Sequence, residues 1–438
     1  MAKKQLTIEE KLQAALVPAE EQPYKVPDNW CWWKLKSFSE IRTGKKDANY
    51  GTENGKYLFF TCASAPIRCD GYSFEGKSIL LAGNGDIGNI SLYEGKFEAY
   101  QRTYVLDIEK SLSTEYVYYY FKYKWVDYNN DKMYGSAIPY IRLGNLKEFP
   151  LPVPPVKEQN HIVSIIESFF AKLDEAKEKI QEVLDGADLR RAAILHQAFT
   201  GKLTEKWRRE NEKKLSDWQI VALKDCFDIT GGIQKKPSRK ADKNPIPYIT
   251  VANVYRDRID ISDLRYFEVF EGELEKYQLV YGDILIVEGN GSGKEIGRCA
   301  IWRNELPVCI HQNHIIRARK KDDSIIPEYV LYYLNSSMGI RVMQERARTT
   351  SGLYSLSTGK IKTITIPKAT VSEQQEIVLL LDNLLSREQA TVNACEKALN
   401  TIDTLKKSIL ARAFRGELGT NDPSEADAQE LLQEILAS

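Results

Sequence analysis

The chain has 438 residues, of which 43% are hydrophobic and 28% are charged. This length exceeds what one compact core normally holds and the composition is that of a folded protein, so we expect several domains and exclude global disorder. Basic and acidic residues balance to a formal net charge of zero, so binding to nucleic acid would have to depend on local clusters of basic residues.

The first predicted element is a short helix over residues 7–16, where Thr7 and Glu10 have the spacing of a capping box. Its segment, residues 1–23, lacks an apolar core of signal-peptide length, and no part of the chain has the 18 consecutive apolar residues of a membrane-spanning helix. The seven cysteines include no CxxC pair, which argues against a zinc site or a disulfide framework. We therefore expect a cytoplasmic protein.

A mixed α/β block is predicted for residues 24–155. Short β-type runs at 78–81 and 104–106 are separated by turns rich in Gly, Asn and Asp. Residues 115–122 predict a short aromatic-rich helix, and we assign its rings to the core of the block.

Within this block Gly83, Gly85 and Gly88 spell GxGxxG after an apolar run. A dinucleotide or S-adenosylmethionine site would require the last glycines to open a helix. Residues 89–96 have instead the pattern of a strand and a turn. We therefore predict a glycine-rich hairpin and expect no cofactor.

A long helix is predicted next, within residues 156–205, after an extended, proline-rich segment. Its apolar residues alternate spacings of four and three, which is typical of a coiled-coil seam. Gly201 is the predicted C-terminal stop. The seam residues are Ile162, Ile166, Phe169, Leu173 and Ile180.

The rest of the chain repeats this order. With a shift of 215 residues, 12 of the 46 pairs between positions 158 and 203 are identical. The repeat predicts a second block over residues 206–370, a second helix within 371–418 that stops at Gly416, and a terminal segment over 419–438. The second seam comprises Ile377, Leu381, Leu384, Ile402 and Ile409.

The second block carries the same features as the first. It has β-type runs at 284–287 and 315–316, an aromatic-rich helix at 328–334 and a glycine-rich run at 289–293. In the terminal segment, residues 424–436 have a helical pattern, with Asp422 and Glu425 as a capping pair.

The predicted fold class is therefore α+β: two mixed α/β domains separated by two long antiparallel coiled-coil helices, with a pseudo-two-fold internal repeat. Each helix follows a block, so pairing within one chain is most simply antiparallel. At about 40–45 residues, each helix would be roughly 60–65 Å long. The alternative is that each helix belongs to the core of its own domain.

Basic residues collect in the predicted loops of both blocks, together with hydroxyl, amide and tyrosine side chains. Such mixtures suit contacts with phosphates and base edges, and although a charge run is usually a solvated surface, its recurrence in both blocks favours binding to nucleic acid. The candidates in the first block are Arg42, Lys45, Lys46, Asn84, Arg102, Lys132, Tyr134 and Ser136. Those in the second are Lys235, Lys236, Arg239, Lys240, Asn290, Ser292, Lys294, Gln312, Asn313, Arg346, Arg348 and Thr349.

Motifs for catalysis or metal binding are missing from the sequence. His311 and His314 have HxxH spacing, but no set of carboxylates or thiolates accompanies them, so we predict no metal site. There is no Walker loop, no nuclease-type carboxylate cluster and no Asn-Pro-Pro-aromatic run of an amino-methyltransferase. We expect no catalysis by this chain.

The ordered duplication resembles the specificity subunit of type I restriction–modification enzymes. In that family a variable block is followed by Ile/Leu-Pro-x-Pro, a Glu-Gln pair and a helix that ends in Ile-Leu-x-x-Ala-Phe-x-Gly-x-Leu. Residues 151–159 and 194–203 carry the first copy, and 366–374 and 409–418 carry the second. The first copy departs from the pattern at His196, Thr200 and Lys202, and the second has Lys368-Ala369 where prolines are usual.

The resemblance implies that each block is a target-recognition domain that reads one half of a bipartite double-stranded DNA sequence. The helices would be the spacer between the domains and the surface to which two methyltransferase (modification) subunits dock, and two motor–nuclease (restriction) subunits would complete the enzyme. It also implies that the two ends of the chain meet.

Two other interpretations stay open. If GxGxxG were a cofactor loop, the chain would be an S-adenosylmethionine-dependent DNA methyltransferase. If the helices were its only functional part, it would be a coiled-coil adaptor with no role on DNA.

Overall fold

The computed structural model describes residues 7–234, 236, 240–289, 295–347 and 355–437. In chain order the α-helices are α1 (Ile8–Ala15), α2 (Thr114–Asn129), α3 (Leu143–Lys147), α4 (Val156–Asp185), α5 (Ala187–Phe199), α6 (Glu205–Glu210), α7 (Leu223–Cys226), α8 (Glu273–Tyr277), α9 (Pro327–Asn335), α10 (Ser337–Ala347), α11 (Thr358–Lys362), α12 (Val371–Ala413) and α13 (Ala428–Ala437).

The strands of the first half are β1 (Cys31–Lys34), β2 (Ser39–Thr43), β3 (Tyr57–Phe60), β4 (Ile67–Cys69), β5 (Phe74–Ala82), β6 (Ile90–Ala99), β7 (Thr103–Ile108) and β8 (Pro150–Val153). Those of the second half are β9 (Gln219–Ala222), β10 (Phe227–Gly231), β11 (Pro245–Ile249), β12 (Val254–Tyr255), β13 (Arg258–Ile259), β14 (Arg265–Glu268), β15 (Ile284–Val287), β16 (Cys299–Ile301), β17 (Ile310–His311), β18 (Ile315–Lys320) and β19 (Thr365–Lys368). The four predicted β-type runs fall within β5, β7, β15 and β18.

The chain divides into two compact units. Unit 1 contains the residues up to 180 together with those from 397 onward, and unit 2 contains residues 181–396. Each unit therefore combines one block with part of both long helical segments. The domain boundaries predicted from the sequence place each block and each long helix in separate segments. Those boundaries stay a prediction.

Unit 1 contains a six-stranded sheet in the order β2-β7-β5-β6-β3-β4. β3 runs parallel to β6, and the other neighbours are antiparallel. A separate antiparallel pair, β1 with β8, joins the start of the block to the proline-rich segment before α4. The prolines are tolerated there because this pair is a short one at the edge of the block.

Unit 2 repeats this topology, but its strands are divided between separate sheets. Its sheets have the orders β10-β18-β15-β16 and β14-β11-β17, and β11 runs parallel to β17 as β3 runs parallel to β6. β9 pairs with β19 as β1 pairs with β8, so that Pro367 opposes Ile220 where Pro152 opposes Trp32. The sequence repeat is thus a structural repeat.

The aromatic-rich helices lie in the cores, as predicted. On α2, Tyr116 and Tyr120 are buried and their rings lie 5.2 and 5.0 Å from the ring of Phe414. On α9, Tyr329 and Tyr333 are buried and lie 5.3 and 5.2 Å from Phe199. The phenylalanine of each Ala-Phe-x-Gly motif therefore packs against an aromatic helix.

The same hydrogen bond joins each block to the helix that follows it. The Trp30 indole Nε1 donates to Glu158 Oε2 at 2.8 Å, and the Trp218 indole Nε1 donates to Glu373 Oε2 at 2.8 Å. Both carboxylates are buried. This contact explains why a Glu recurs at the start of both helices.

The glutamine after each glutamate has an equally constant role. Gln159 accepts from the backbone amide of Ser113, which caps α2, at 2.9 Å. Gln374 accepts from the backbone amide of Ile326, which caps α9, at 2.9 Å. The Glu-Gln pair therefore holds both the first strand of the block and its aromatic helix.

The two glutamates differ in their remaining partners. Glu373 accepts from Thr204 Oγ1 at 2.7 Å and from the buried Arg208 Nη1 at 2.5 Å. Glu158 accepts from Thr420 Oγ1 at 3.0 Å, and burial raises the pKa of its carboxyl. The buried carboxylate of unit 2 therefore has an ion-pair partner, whereas the indole and hydroxyl that donate to Glu158 are neutral.

The second long helix is continuous, whereas the first is interrupted. α12 runs over 43 residues, about 64 Å, but Gly186 separates α4 from α5. Glycine is the least favourable residue in helix interiors after proline, and the Arg190 guanidinium crosses it to donate to the Val183 carbonyl at 2.7 Å. Gly201 and Gly416 both have a positive φ near the helix ends, as their predicted stop role requires.

In unit 1, α4 and α12 are antiparallel. Asp174 pairs with Lys406 at 2.5 Å and Lys177 pairs with Asp403 at 3.9 Å, so residue numbers rise on one helix as they fall on the other. In unit 2, Arg190 of α5 pairs with Glu388 of α12 at 2.8 Å. Each of these ion pairs between the helices therefore joins two residues that belong to the same unit.

Most predicted seam residues are shielded from solvent. The buried members are Ile162, Ile166, Ile377, Leu381 and Ile402. The half-buried members are Leu173, Ile180, Leu384 and Ile409.

Phe169 requires a correction, because its side chain is 46% exposed. Phe170 turns inward instead, with its ring 5.9 Å from the ring of Tyr119 and 4.9 Å from Lys406 Nζ. The four-three spacing assumes contact with one helix, but α4 here packs against α2 as well as α12. The apolar stripe is therefore displaced by one residue.

The two ends of the chain meet within unit 1. α1 begins with the predicted capping box, since Thr7 and Glu10 bond each other's backbone amides. α1 packs against α13, and Lys11 Nζ donates to the Leu436 carbonyl at 3.0 Å. The prediction that Asp422 and Glu425 cap the last helix is wrong, because α13 begins only at Ala428. Asp422 instead stabilises a turn, in which its Oδ1 accepts a hydrogen bond from the Ser424 amide.

Candidate nucleic-acid interface

Loops gather at one end of each main sheet, where β2 or β10 leaves it. A Cβ at Gly44 would lie 1.8 Å from the Ala99 carbonyl oxygen, and one at Gly232 would lie 2.1 Å from that of His311. Only glycine permits so close an approach of backbones. The basic loops that begin at Lys45 in unit 1 and after Gly232 in unit 2 therefore leave their sheets at equivalent points.

The GxGxxG motif is a hairpin turn, as predicted. β5 and β6 pair as far as Leu81 opposite Ile90, so the glycines connect two strands and open no helix. In unit 2 the strands β15 and β16, which flank the second glycine-rich run, are likewise antiparallel. The unit 1 loop therefore differs from a phosphate-binding strand–helix turn.

The glycine loop is tied to the segment that follows the aromatic helix. In unit 1 the Gly85 amide donates to the Pro139 carbonyl at 2.8 Å, and Asn84 bridges to Tyr140. In unit 2 Gly289 bridges to Ser355, which occupies the position equivalent to Tyr140. In both units the described start of the glycine-rich run is thus bridged to the segment that follows the aromatic helix.

The structure brings most unit 1 candidates to this cluster. The Arg102 carbonyl accepts from the Gly83 amide at 2.8 Å, and the Lys46 carbonyl accepts from the Gln101 amide at 2.9 Å. Lys45 is exposed, Lys46 is half-buried with its Nζ 4.3 Å from the Tyr50 ring, and Asn84 is half-buried.

Lys132, Tyr134 and Ser136 are exposed at the same end of unit 1. Lys132 Nζ lies 3.4 Å from the ring centroid of Tyr128. Together with Arg142 and Asn145, the side chains of Lys132 and Tyr134 line one open groove.

Arg42 is placed differently from the other candidates. It lies within β2, pairs with Asp107 and stacks over the Phe74 ring at 5.1 Å. Its charge is therefore already compensated, which suits a phosphate contact less well than Lys45 does.

In unit 2 the described candidates lie in the segments between β10 and β11 and between β17 and β18, and at the end of α10. Gln312 and Asn313 are half-buried, and their backbones bond to Ile249 and Ile233. Arg346 is exposed at the end of α10, where the Ala347 carbonyl accepts from the Ser355 amide at 3.1 Å. Lys236 and Lys240 are exposed. The candidates that lie outside the described residues are Lys235, Arg239, Asn290, Ser292, Lys294, Arg348 and Thr349.

Sequence reasoning missed Arg142 and Ile138. The Arg142 guanidinium lies 3.9 Å from the centre of the Tyr134 ring, and Ile138 is 62% exposed. Both follow Tyr134 in the chain, so the Tyr-Gly-Ser sequence that identified Tyr134 could have directed attention to them.

The two histidines have separate environments. His311 is buried, its Nδ1 lies 2.9 Å from the Ile315 carbonyl, and burial lowers its pKa to about 4. His314 is exposed beside Glu288. Within the described ranges, no group of three or more His, Cys, Asp or Glu side chains is arranged to hold a metal ion. Nor does any described helix carry an apolar run that would cross a lipid bilayer.

The chain matches the family described as the type I restriction modification DNA specificity domain over residues 27–185 and 215–399. It is 25% identical over 423 residues to the type I restriction enzyme EcoDI specificity subunit of Escherichia coli, with 90% of each chain covered. It is 30% identical over 290 residues to the EcoKI specificity subunit of Escherichia coli, with 65% of this chain and 61% of that relative covered.

Solved structures share the fold. The HsdS subunit from Thermoanaerobacter tengcongensis superposes with a TM-score of 0.59 at 19% identity, over 91% of this chain and 100% of that one. A chain from a structure on complex assembly of the type I R-M system gives a TM-score of 0.65 at 18% identity, over 90% of this chain and all of the other. The family match covers both repeated halves, so the chain belongs to the DNA specificity subunits of type I restriction–modification systems.

Proposed function

We propose that this chain reads a bipartite double-stranded DNA sequence, with the loop cluster of each unit contacting one half-site. The observation that carries the proposal is the recurrence of the cluster. Both units have a close backbone crossing at a glycine, Gly44 or Gly232. Both also have a bridge from the glycine-rich run to the segment after the aromatic helix. Loops on a constant framework can vary in sequence without disturbing the core, which is what a family of different specificities requires.

The long helices are proposed to fix the separation of the two half-sites. The 43 residues of α12 span about 64 Å, which is near two turns of B-DNA. We expect the two half-sites to be separated by about one turn of B-DNA, because the proposal places the recognition surfaces between the ends of the helices. The helices need no catalytic group for this function, because they only set the distance between the two recognition surfaces.

Two methyltransferase subunits are proposed to dock on the helices at equivalent places. Val156 and Val371 are the first residues of α4 and α12, occupy equivalent repeat positions and are 36% and 38% exposed. Leu189 and Leu379, also on the helices, are 75% and 63% exposed. Exposed apolar side chains on otherwise charged helices suit partner helices.

The chain is proposed to be non-catalytic and to act in the cytoplasm. The methyltransferase subunits would supply the methyl transfer, and two motor–nuclease subunits would add cleavage. The glycine hairpin of unit 1 supports this proposal, because it connects two strands and lacks the helix of a cofactor loop. Methylation of DNA by the chain alone would contradict it and favour the methyltransferase interpretation.

DNA binding is tested on the exposed pair Lys236 and Lys240. Replacing both by Ala should weaken binding to duplex DNA, because each lysine that neutralises a phosphate contributes about one to the slope of log K against log salt. The slope of the variant should therefore be shallower by about one for each lysine that binds a phosphate in the wild type. Fluorescence anisotropy of the full chain over a salt series measures the slope.

A matched control is the replacement of Lys213 and Lys214, which are exposed on the linker before β9, by Ala. This variant should retain the wild-type slope. If the two double variants behave alike, the loop lysines are an ordinary solvated surface.

A further inference from the structure

Residues 134–140 of unit 1 form a short hairpin. The amides of Tyr134 and Tyr140 each donate to the other's carbonyl at 2.9 Å, and the two rings stack with centroids 5.6 Å apart. Gly135 has a φ of 83°, which allows the sharp turn. Pro139 restricts the other side of the tip.

The hairpin is fixed from outside as well. Pro139 accepts from the glycine loop, and the Ile141 amide donates to the Gly83 carbonyl at 2.9 Å. Arg142 covers the Tyr134 ring at 3.9 Å and its Nη2 lies 3.4 Å from the Tyr140 hydroxyl. A segment held at so many points loses little conformational entropy when it binds a partner.

At the tip of this rigid hairpin stands Ile138, which is 62% exposed. Its immediate neighbours in the loop are small, and the basic side chains of Lys132 and Arg142 line the adjacent groove. The hairpin thus presents a large apolar side chain to solvent, and the groove beside Tyr134 carries two cationic groups that suit phosphates. Duplex DNA offers one apolar feature on its base edges, the C5-methyl group of thymine in the major groove.

We infer that Ile138 is a specificity-determining residue that contacts a thymine methyl group in the half-site bound by unit 1. The inference rests on the proposed function, since it needs the loop cluster to face DNA. Arg142 and Lys132 would contact the flanking phosphates and hold the hairpin in the groove.

The test uses the full chain and duplexes that carry its target, defined from the methylated sequence of a host. Each thymine of both half-sites is replaced in turn by deoxyuridine, which removes only the methyl group. For the wild type, affinity should fall about fourfold at one thymine, the factor that corresponds to the ~0.8 kcal/mol of burying one such group. Ile138→Ser should lose a similar factor and become insensitive to that replacement.

Two variants control for folding and for exposed isoleucine in general. Ile138→Val keeps an apolar side chain and should retain sensitivity to the methyl group. Ile8→Ser alters an isoleucine of α1 that is 54% exposed and should bind every duplex as the wild type does.

The outcomes separate the inference from the function on which it rests. A wild-type chain that binds target and scrambled duplexes equally contradicts the proposed function itself. A wild type that discriminates, with Ile138→Ser equally sensitive to deoxyuridine or with no sensitive thymine at all, overturns the inference alone. Insertion of Ile138 between bases as a wedge would give that second result.

Discussion

Glu158 and Glu373 occupy equivalent positions, but their buried carboxylates are stabilised differently. We expect Glu373→Gln to destabilise unit 2 by about 3–5 kcal/mol, because it leaves the buried Arg208 guanidinium without its ion-pair partner. Glu158→Gln should leave unit 1 as stable as the wild type or more stable at neutral pH. A glutamine can still accept from the Trp30 indole. Hydrogen-exchange protection of peptides from each unit measures the two effects separately.

The pH dependence follows from the raised pKa of Glu158. A carboxyl whose pKa is higher in the folded state contributes stability below its ordinary pKa and loses that contribution as the pH rises through the raised value. Glutamine does not ionise, so the Glu158→Gln variant lacks this loss of stability. The hydrogen-exchange protection of unit 1 should therefore depend less on pH in the variant, at pH values above the ordinary pKa of glutamate. Equal destabilisation by both substitutions would contradict the assigned difference.

The structural role of a residue could be predicted from the sequence where the same residue type recurs at equivalent positions in the two blocks. Tyr116 and Tyr329 recur at equivalent places in the two blocks, which predicts that they belong to the core, and both are buried. Phe169 could not be placed, because its exposure depends on a second packing partner, α2, that is distant in sequence. Arg142 was missed because its role depends on stacking against Tyr134 rather than on charge density.

At the scale of elements, the antiparallel helices predict that the length of both determines the DNA gap. Each unit contains part of both helical segments, so four residues must be inserted in both, after Lys179 and after Glu396. This adds about 6 Å, close to two base pairs of B-DNA, and nearly preserves the apolar stripe. The methylated motif should keep both half-sites and gain one or two unspecified base pairs.

Insertion of two residues at the same points is the control. It rotates the stripe by about 200° and should impair packing of the helices. Changed half-site bases with an unchanged gap in the four-residue variant would refute the spacer role.

The elements themselves were largely readable from sequence. The first glycine run is predicted to be a hairpin because the residues after it lack a helical pattern, and it connects β5 and β6. The division into compact units was not predicted, because periodicity identifies an apolar stripe but not which part of a helix packs on which block. The pairing of Asp174 with Lys406 joins residues 232 positions apart, and no local pattern contains that information.

At the scale of the whole molecule, unit 2 is continuous in sequence and unit 1 is not. A chain that ends at residue 396 should retain wild-type hydrogen-exchange protection in unit 2 and lose it in unit 1. Unit 1 would lack Leu410 and Phe414, which are buried against its aromatic helix. Hydrogen-exchange mass spectrometry of the truncated chain measures both units.

A chain that lacks only residues 428–438 serves as the control, since it loses α13 but keeps α12. It should retain protection of α2. Protection of unit 1 in the chain that ends at residue 396 would show that the block folds without the second helix.

The discontinuity of unit 1 has a consequence for biosynthesis. The first 180 residues leave the ribosome before residue 397 is made, and synthesis of residues 181–396 takes roughly 10–40 s at about 5–20 residues per second. Throughout that interval the aromatic surface of α2 has no covering helix, while unit 2 can fold to completion. The nascent protein therefore exposes Tyr116 and Tyr120 to chaperones and to aggregation for far longer than their equivalents Tyr329 and Tyr333, although both pairs pack against the phenylalanine of the same motif.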